Sequence, residues 1–343
     1  MKTQVFGTTK AGQEVKLYRI TNGKLTADIT DYGANLINLL VQVNEKEQLD
    51  VVLAYAGLTE YEERTECFGA TVGRNGNRIA DSTFLLEGIR YNLIPNEFGN
   101  NLHSGPDYFF KRMWQVDAYE ENKVVFKLHS PDGDQGFPGS LDIFVTYELT
   151  DDNMLKITYQ GTPDHATVLN LTNHSYFNLN GHQSGDVLKH KLRLGAPHWT
   201  RVDKELIPTG ESVPVVGTAM DFLQLRSIED GMQADTGEYN CKKGYDHNYE
   251  LENEGEFPLI GEVVGDQSGL VMEIYSDLPA IQLYTGNFDG TISGKDGVSY
   301  ARHGGMCLET QYVPNAVNLP NYEQPITDAE ETYYTVTGYR FII

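Results

Sequence analysis

Apolar and polar residues alternate with a period of two along much of the chain. In SLDIFVTYELT, Leu141, Ile143, Val145, Tyr147 and Leu149 alternate with Asp142, Phe144, Thr146 and Glu148, which puts an apolar row on one face of a strand. MLKITYQG follows, with Leu155, Ile157 and Tyr159 facing one way and Lys156 and Thr158 the other; Asp151, Asp152 and Asn153 between the two segments are turn formers. The pair predicts a β-hairpin. Similar segments recur at KVVFKL, ATVLNLT, KLRLGA, LVMEIYS, AIQLYTGNF and TYYTVTGYRFII, each bounded by Gly, Pro, Asn or Asp. No stretch sustains an apolar face at helical spacing, so helix is expected to be scarce, with short pieces at LTEYEERT and around Leu225 to Met232. Many strands without alternating helices predict an all-β fold, a sandwich or barrel of antiparallel strands, and not a nucleotide-binding α/β sheet. With no internal repeat, low-complexity tract or linker, residues 1–343 read as a single domain.

Charge narrows the list of partners. Asp and Glu number 49 against 26 Lys and Arg, a formal net charge of −23 spread along the chain. Such a surface repels nucleic acid and anionic membranes, so neither is expected as a partner. Cys67, Cys241 and Cys307 are odd in number, far apart and without CxxC pairing, which suggests neither a disulfide framework nor a zinc site. The N-terminal segment lacks the apolar run of a signal peptide and nowhere do 18 apolar residues follow one another, so a soluble cytoplasmic protein is expected, monomeric or homodimeric. Asn170-Leu-Thr172 and Asn173-His-Ser175 match the glycosylation pattern but fall inside a predicted strand, and are read as chance.

Familiar ligand motifs are missing. GATVGRNGNRIA lacks the GxGxxG order and is not followed by a helix-forming run, and GTISGKDG lacks the spacing and final Ser/Thr of a phosphate-cradling loop. Nine histidines occur without HxH, HExxH or Cys/His spacing, so no metal is expected.

The chemistry lies in isolated polar residues on apolar strands. Within ATVLNLTNHSYFNLNG, read as one strand, Asn170, Thr172, His174 and Tyr176 share a face opposed to Leu169, Leu171 and Phe177. Asn, His and Tyr together suit a hydroxyl-rich ligand, although His174 could equally serve as an internal hydrogen-bonding group. In GMCLETQYVPNAVN, Glu309 shares its face with Cys307 and Gln311 between Met306 and Leu308. A carboxylate buried there would be basic enough to accept a proton near neutrality; a buried ion pair with an arginine is the alternative. Gln282 and Tyr284 share a strand face, while Asp246 and His103 are placed in loops. For Asp246 an Asx turn, and for Gln282 a cross-strand contact, are the structural alternatives to binding.

Taken together, GRNGNRIA, NNLHSG, the GFPG ending at Gly139, NLTNHSYFNLNG, SGDVLKH, GYDHNYEL, IQLYTGN and ETQYVPNAVN resemble, in order and over about Phe6 to Phe341, the aldose 1-epimerases, the galactose mutarotases. The resemblance implies a large antiparallel β-sandwich with a sugar cleft on one concave sheet and no cofactor. It also implies His174 as general acid, Glu309 as general base and His103 as a second histidine at the sugar, with Asn77, Arg78, Asp246 and Gln282 at sugar-contacting positions. Two departures stand out. Ser104 replaces a common glycine, and Asn75-Gly76 stand where small apolar residues are commoner.

The implied reaction asks for such a pair. A cyclic aldose changes anomer when its C1 hydroxyl loses a proton while the ring oxygen gains one; rotation about C1–C2 and the reverse transfers then close the ring. One base and one acid suffice, and a free aldohexose such as galactose or glucose is the expected substrate. Three other readings use the same residues: a hexose-6-phosphate 1-epimerase, which needs several basic side chains near C6, a non-catalytic carbohydrate-binding protein, and a glycosidase recruiting Asp246 as second carboxylate. Imidazolium at His174 is expected to need a carboxylate nearby.

Overall fold

In the computed structural model, which describes residues 2–45, 47–252 and 254–343, the alternating segments 141–149 and 154–161 form the predicted antiparallel hairpin. Ile143 lies opposite Gly161 and Leu149 opposite Leu155. Their apolar rows are buried and their polar rows half-exposed, as one-sided burial requires. The hairpin supplies the third and fourth strands of a nine-stranded sheet in the order 115–119, 123–130, 141–149, 154–161, 333–342, 271–276, 259–264, 191–194, 226–227. Strand accounts for 46% of residues and helix for 8%, so the all-β reading holds. The expected short helices form at Leu58–Glu63 and Ile228–Ala234, the second capped by Ser227 Oγ accepting from the Asp230 amide.

A second sheet of six strands carries the order Tyr176–Phe177, Met306–Gln311, Ala280–Tyr284, Asp246–Glu250, His198–Val202, Pro208–Pro214. It packs on the nine-stranded sheet through one apolar cluster that includes Met306, Leu308, Ile281 and Leu283 from one side and Ile274, Met272, Tyr339 and Phe341 from the other. Polar contacts pin the layers. Tyr339 Oη donates to the Leu308 carbonyl at 2.8 Å, and the hydroxyls of Thr310 and Thr337 are hydrogen-bonded. Because side chains alternate along a strand, the even positions of Met306–Gln311 enter this core while Cys307, Glu309 and Gln311 point the other way. All six residues are nonetheless buried, so something covers the second face as well.

That cover comes from irregular chain. The segment 166–177 is not the single strand expected from its alternation. It breaks into Thr167–Val168, Thr172–His174 and Tyr176–Phe177, which pair with 326–327, 70–72 and 306–307 respectively. Both faces of it are buried, and a segment that changes partner every few residues cannot keep a two-residue period. Asn170 and Asn173 are 1% and 4% exposed, which leaves neither glycosylation pattern accessible. Asp246, expected in a loop, is the first residue of the strand Asp246–Glu250, opposite Tyr284. All three cysteines are free and buried. Among the described residues no helix is long and apolar enough to cross a membrane.

Arg74 anchors the loop 73–78 that leads into the site. It is 0% exposed and spends its donors on the Ser130, Pro131 and Pro138 carbonyls and the Ser130 and Thr167 hydroxyls. Burial pushes its pKa down to about 10, with Asp134 and Asp132 opposing. Removing the guanidinium strands several buried acceptors at once, each costing about 1–3 kcal/mol. Arg74→Met should therefore lower the unfolding free energy by at least about 3 kcal/mol in urea titrations.

Candidate active site

The exposed-facing side of the six-stranded sheet presents ordered cross-strand rows. Asn248 lies opposite Gln282, and Gln282 opposite Glu309. The adjoining row runs Asp246, Tyr284, Cys307, Tyr176. Directly paired residues have Cβ atoms about 5 Å apart, so register alone brings Asp246, Gln282 and Glu309 to one patch. His174 arrives from the strand Thr172–His174, and its Nε2 stands 3.6 Å from Glu309 Oε1. Its Nδ1 lies 3.3 Å from Cys307 Sγ. The imidazole is walled by the rings of Tyr176 at 5.1 Å, His103 at 5.5 Å and Tyr284 at 6.1 Å between centroids.

Two loops close over this floor. Asn77, in the left-handed region at φ 60°, donates its amide to His103 Nδ1 at 3.0 Å and accepts the His103 amide on its carbonyl. Its side-chain oxygen accepts from the Arg78 amide at 2.9 Å. Arg78 pairs in fork fashion with Glu97, Nε to Oε2 at 2.6 Å and Nη2 to Oε1 at 3.2 Å, and its Nη2 lies 3.7 Å from Asp246 Oδ2. Asp246 Oδ1 accepts from Gln282 Nε2 at 2.6 Å. Glu97, Arg78, Asp246 and Gln282 thus form one continuous chain across the site. Above it opens a cavity of about 630 Å³.

The two departures from the family pattern meet here. Ser104 Oγ accepts from the Asn75 amide at 2.8 Å and donates to the Asn75 carbonyl at 3.0 Å. Its φ of 57° lies where glycine is favoured, which accounts for glycine being common there. In this chain the hydroxyl ties together the loops that carry Asn77 and His103.

Burial sets the electrostatics. It pushes Glu309 well above the usual carboxylate range, assisted by repulsion from Asp246 and opposed by Arg78. Glu309 Oε2 has no hydrogen-bond partner within the protein. Burial also lowers His174 to about 4, against the pull of its own backbone carbonyl and Asp246, and drives His103 well below its ordinary value with help from His174 and Arg78. Burial works against Arg78 too, but Asp246 and Glu97 outweigh it and hold the guanidinium above its usual value. The expectation that a carboxylate would keep His174 as imidazolium is therefore not met in the free site: desolvation outweighs the neighbouring charge. Burial thus favours the uncharged form of both residues.

His103, His174 and Glu309 bring one potential metal-ligand atom each to within 4.8 Å of one another. The donor set fits a metal poorly. His103 Nδ1 already accepts the Asn77 amide, so a neutral His103 carries its proton on Nε2 and offers the cavity a donor, not a lone pair. The same hydrogen bond makes it a fixed donor for a ligand oxygen.

Of the seven residues singled out in the sequence, Asn77, Arg78, His103, His174, Asp246 and Glu309 line the cavity. Gln282 does not; it stands one row back, 3% exposed, and orients Asp246. Tyr284, noted in the sequence on the same face as Gln282, also lines the cavity, whereas sequence reasoning missed Glu97, which no spacing links to Arg78. It also missed Lys243 and Arg302, which the fold brings to the cavity wall from distant segments.

Comparison with known proteins agrees with this arrangement. The family model described as Aldose 1-epimerase matches residues 16–340. The chain is 40% identical to galactose mutarotase of Sus scrofa over 341 residues, covering 99% of this chain and 98% of that one. It is 36% identical to aldose 1-epimerase of Escherichia coli strain K12 over 335 residues, 96% of each chain. Among solved structures, an aldose epimerase homologue from C. elegans superposes with a TM-score of 0.88 at 29% identity, covering 95% of this chain and 98% of that one. A sandwich of this architecture, His174 and Glu309 in contact at its six-stranded sheet, and a family match along nearly the whole length lead to one statement: the chain belongs to the aldose 1-epimerase family.

Proposed function

We propose that the chain, acting as a single domain, interconverts the α and β anomers of free aldohexoses such as galactose and glucose, with Glu309 as base and His174 as acid. The observation that carries this reading is the 3.6 Å contact between His174 Nε2 and Glu309 Oε1 at the cavity floor. The two oxygens that exchange protons in mutarotation are bonded to the same carbon, so an acid and a base serving them must themselves be neighbours. The pair holds one proton between them. Sugar hydroxyls that donate to Glu309 stabilise its carboxylate, and the proton moves to His174 Nε2, where the Asp246 charge supports it. Glu309 then removes the C1 hydroxyl proton as the bond from C1 to the ring oxygen breaks, and His174 protonates that oxygen. After rotation about C1–C2 the transfers run backwards, and both residues return to their starting state without a cofactor or outside proton. His103 Nε2–H, Arg78 and Asn77 supply donors that orient the sugar, and Asp246 accepts from its hydroxyls.

Charge favours a neutral sugar over a phosphorylated one. Glu66, Glu97, Asp246 and Asp289 line the cavity. Of the three cations there, Arg78 is committed to Glu97 and Arg302 donates to Asp289 at 2.7 Å, which leaves Lys243 against several carboxylates. Polarimetry of freshly dissolved α-D-galactose, α-D-glucose and α-D-glucose 6-phosphate tests the reading. Acceleration of the two free sugars is expected; acceleration of the phosphate alone, or of none, overturns it.

The pH dependence follows from the shared proton. With a second proton the pair has no base, and with none it has no acid. The kcat/KM for galactose, which reports the free site, should fall toward acid as His174 titrates near 4 and fall toward higher pH as Glu309, raised by burial, ionises. An acid limb centred near 6.5, the value of an unperturbed histidine, would contradict the buried pair.

A further inference from the structure

One strand addresses both nitrogens of His174. Cys307 and Glu309 are two residues apart on Met306–Gln311, so their side chains share a face about 6.5–7 Å apart along the strand. The imidazole lies across that interval, Nδ1 at 3.3 Å from Cys307 Sγ and Nε2 at 3.6 Å from Glu309 Oε1. Nε2 is the nitrogen that faces Glu309, with which it exchanges the proton, so the remaining ring hydrogen sits on Nδ1 and the sulfur beside it is an acceptor.

We propose that Cys307 is a positioning residue for the epimerase reaction: its sulfur holds the Nδ1 hydrogen of His174 in both protonation states and confines proton exchange to Nε2. The proposal rests on the acid role assigned to His174. Two features favour sulfur at this place. The thiol stays neutral, since burial and the nearby Glu309 charge push its pKa well up. Being a weak acceptor, it orients the ring without fixing imidazolium, as a carboxylate behind Nδ1 would. The opposite arrangement, with the thiol donating to Nδ1, would put the ring hydrogen on Nε2 and leave that nitrogen unable to take a proton from Glu309.

The test is ¹⁵N NMR of the imidazole, assigned with His174→Asn, alongside polarimetric kcat and KM. The parent protein and Cys307→Ser should show the Nδ1–H tautomer of His174. Cys307→Ala should shift it toward Nε2–H, lower kcat about 5–10-fold, the worth of one modest hydrogen bond, and leave KM within about twofold. Cys307→Ser, which keeps an acceptor, should recover most of kcat. An unchanged tautomer in Cys307→Ala, or an Nε2–H tautomer in the parent, overturns the proposal whatever the rates. A shifted tautomer with unchanged kcat supports the contact and instead removes His174 from the acid role. The two ideas therefore fail separately.

Discussion

Glu309→Gln should cut kcat by about 10³-fold or more, at the upper part of the range for losing one general base, while the folded chain becomes no less stable. The glutamine is isosteric and can still bond a sugar hydroxyl, but its amide cannot accept the C1 proton. Polarimetry at saturating galactose reads the loss, and binding measured by calorimetry should survive. Stability supplies an independent check. The folded-state pKa of Glu309 is raised above its unfolded value, because burial disfavours the charge. The native protein then holds a proton that the unfolded chain has released, so this residue's contribution is intact below the unfolded pKa of about 4.3 and is lost as pH rises toward the folded one. At neutral pH the glutamate costs stability, and its neutral replacement removes that cost. A variant that is inactive and melts at the same or a higher temperature meets the expectation. One that retains activity, or loses it only by unfolding, does not.

His174→Asn should lower kcat by about 10²–10⁴-fold. Asparagine keeps a polar group beside Cys307 and Glu309 but has no titratable nitrogen for the ring oxygen. Removing the imidazole should also move the pH profile, because the acid limb near 4 belongs to the pair. The double variant should be little worse than either single one, since an acid and a base that act in the same step do not contribute additively. A double variant with normal activity refutes the assignment, and so does a His174→Asn protein that turns over galactose at the parent rate.

The readings that needed one strand or one face at a time succeeded. The hairpin 141–161 follows from a two-residue period with three turn formers between its halves. Burial of Glu309 follows from its neighbours Met306, Cys307 and Leu308, and the structure leaves it 2% exposed. The readings that failed concern segments whose partners change. Alternation through 166–177 suggested one strand, yet three pairings divide it. Asp246 was expected in a loop, yet it opens a strand, with Arg78 and Gln282 against its carboxylate. Gln282, expected at the sugar, donates to Asp246, a contact that its strand position alone did not indicate.

Alternation, turn residues and the scarcity of helical spacing determined the all-β class, and the ordered motifs pointed to the family and to His174 with Glu309. Tertiary structure decided how these groups behave. Contact between His174 and Glu309, from strands 135 positions apart in the chain, depends on the cross-strand register of 306–311 and on the short pairing of 172–174 with 70–72. Burial then reverses the expected resting charges, and desolvation is a property of everything packed around a group, which no local run of residues encodes.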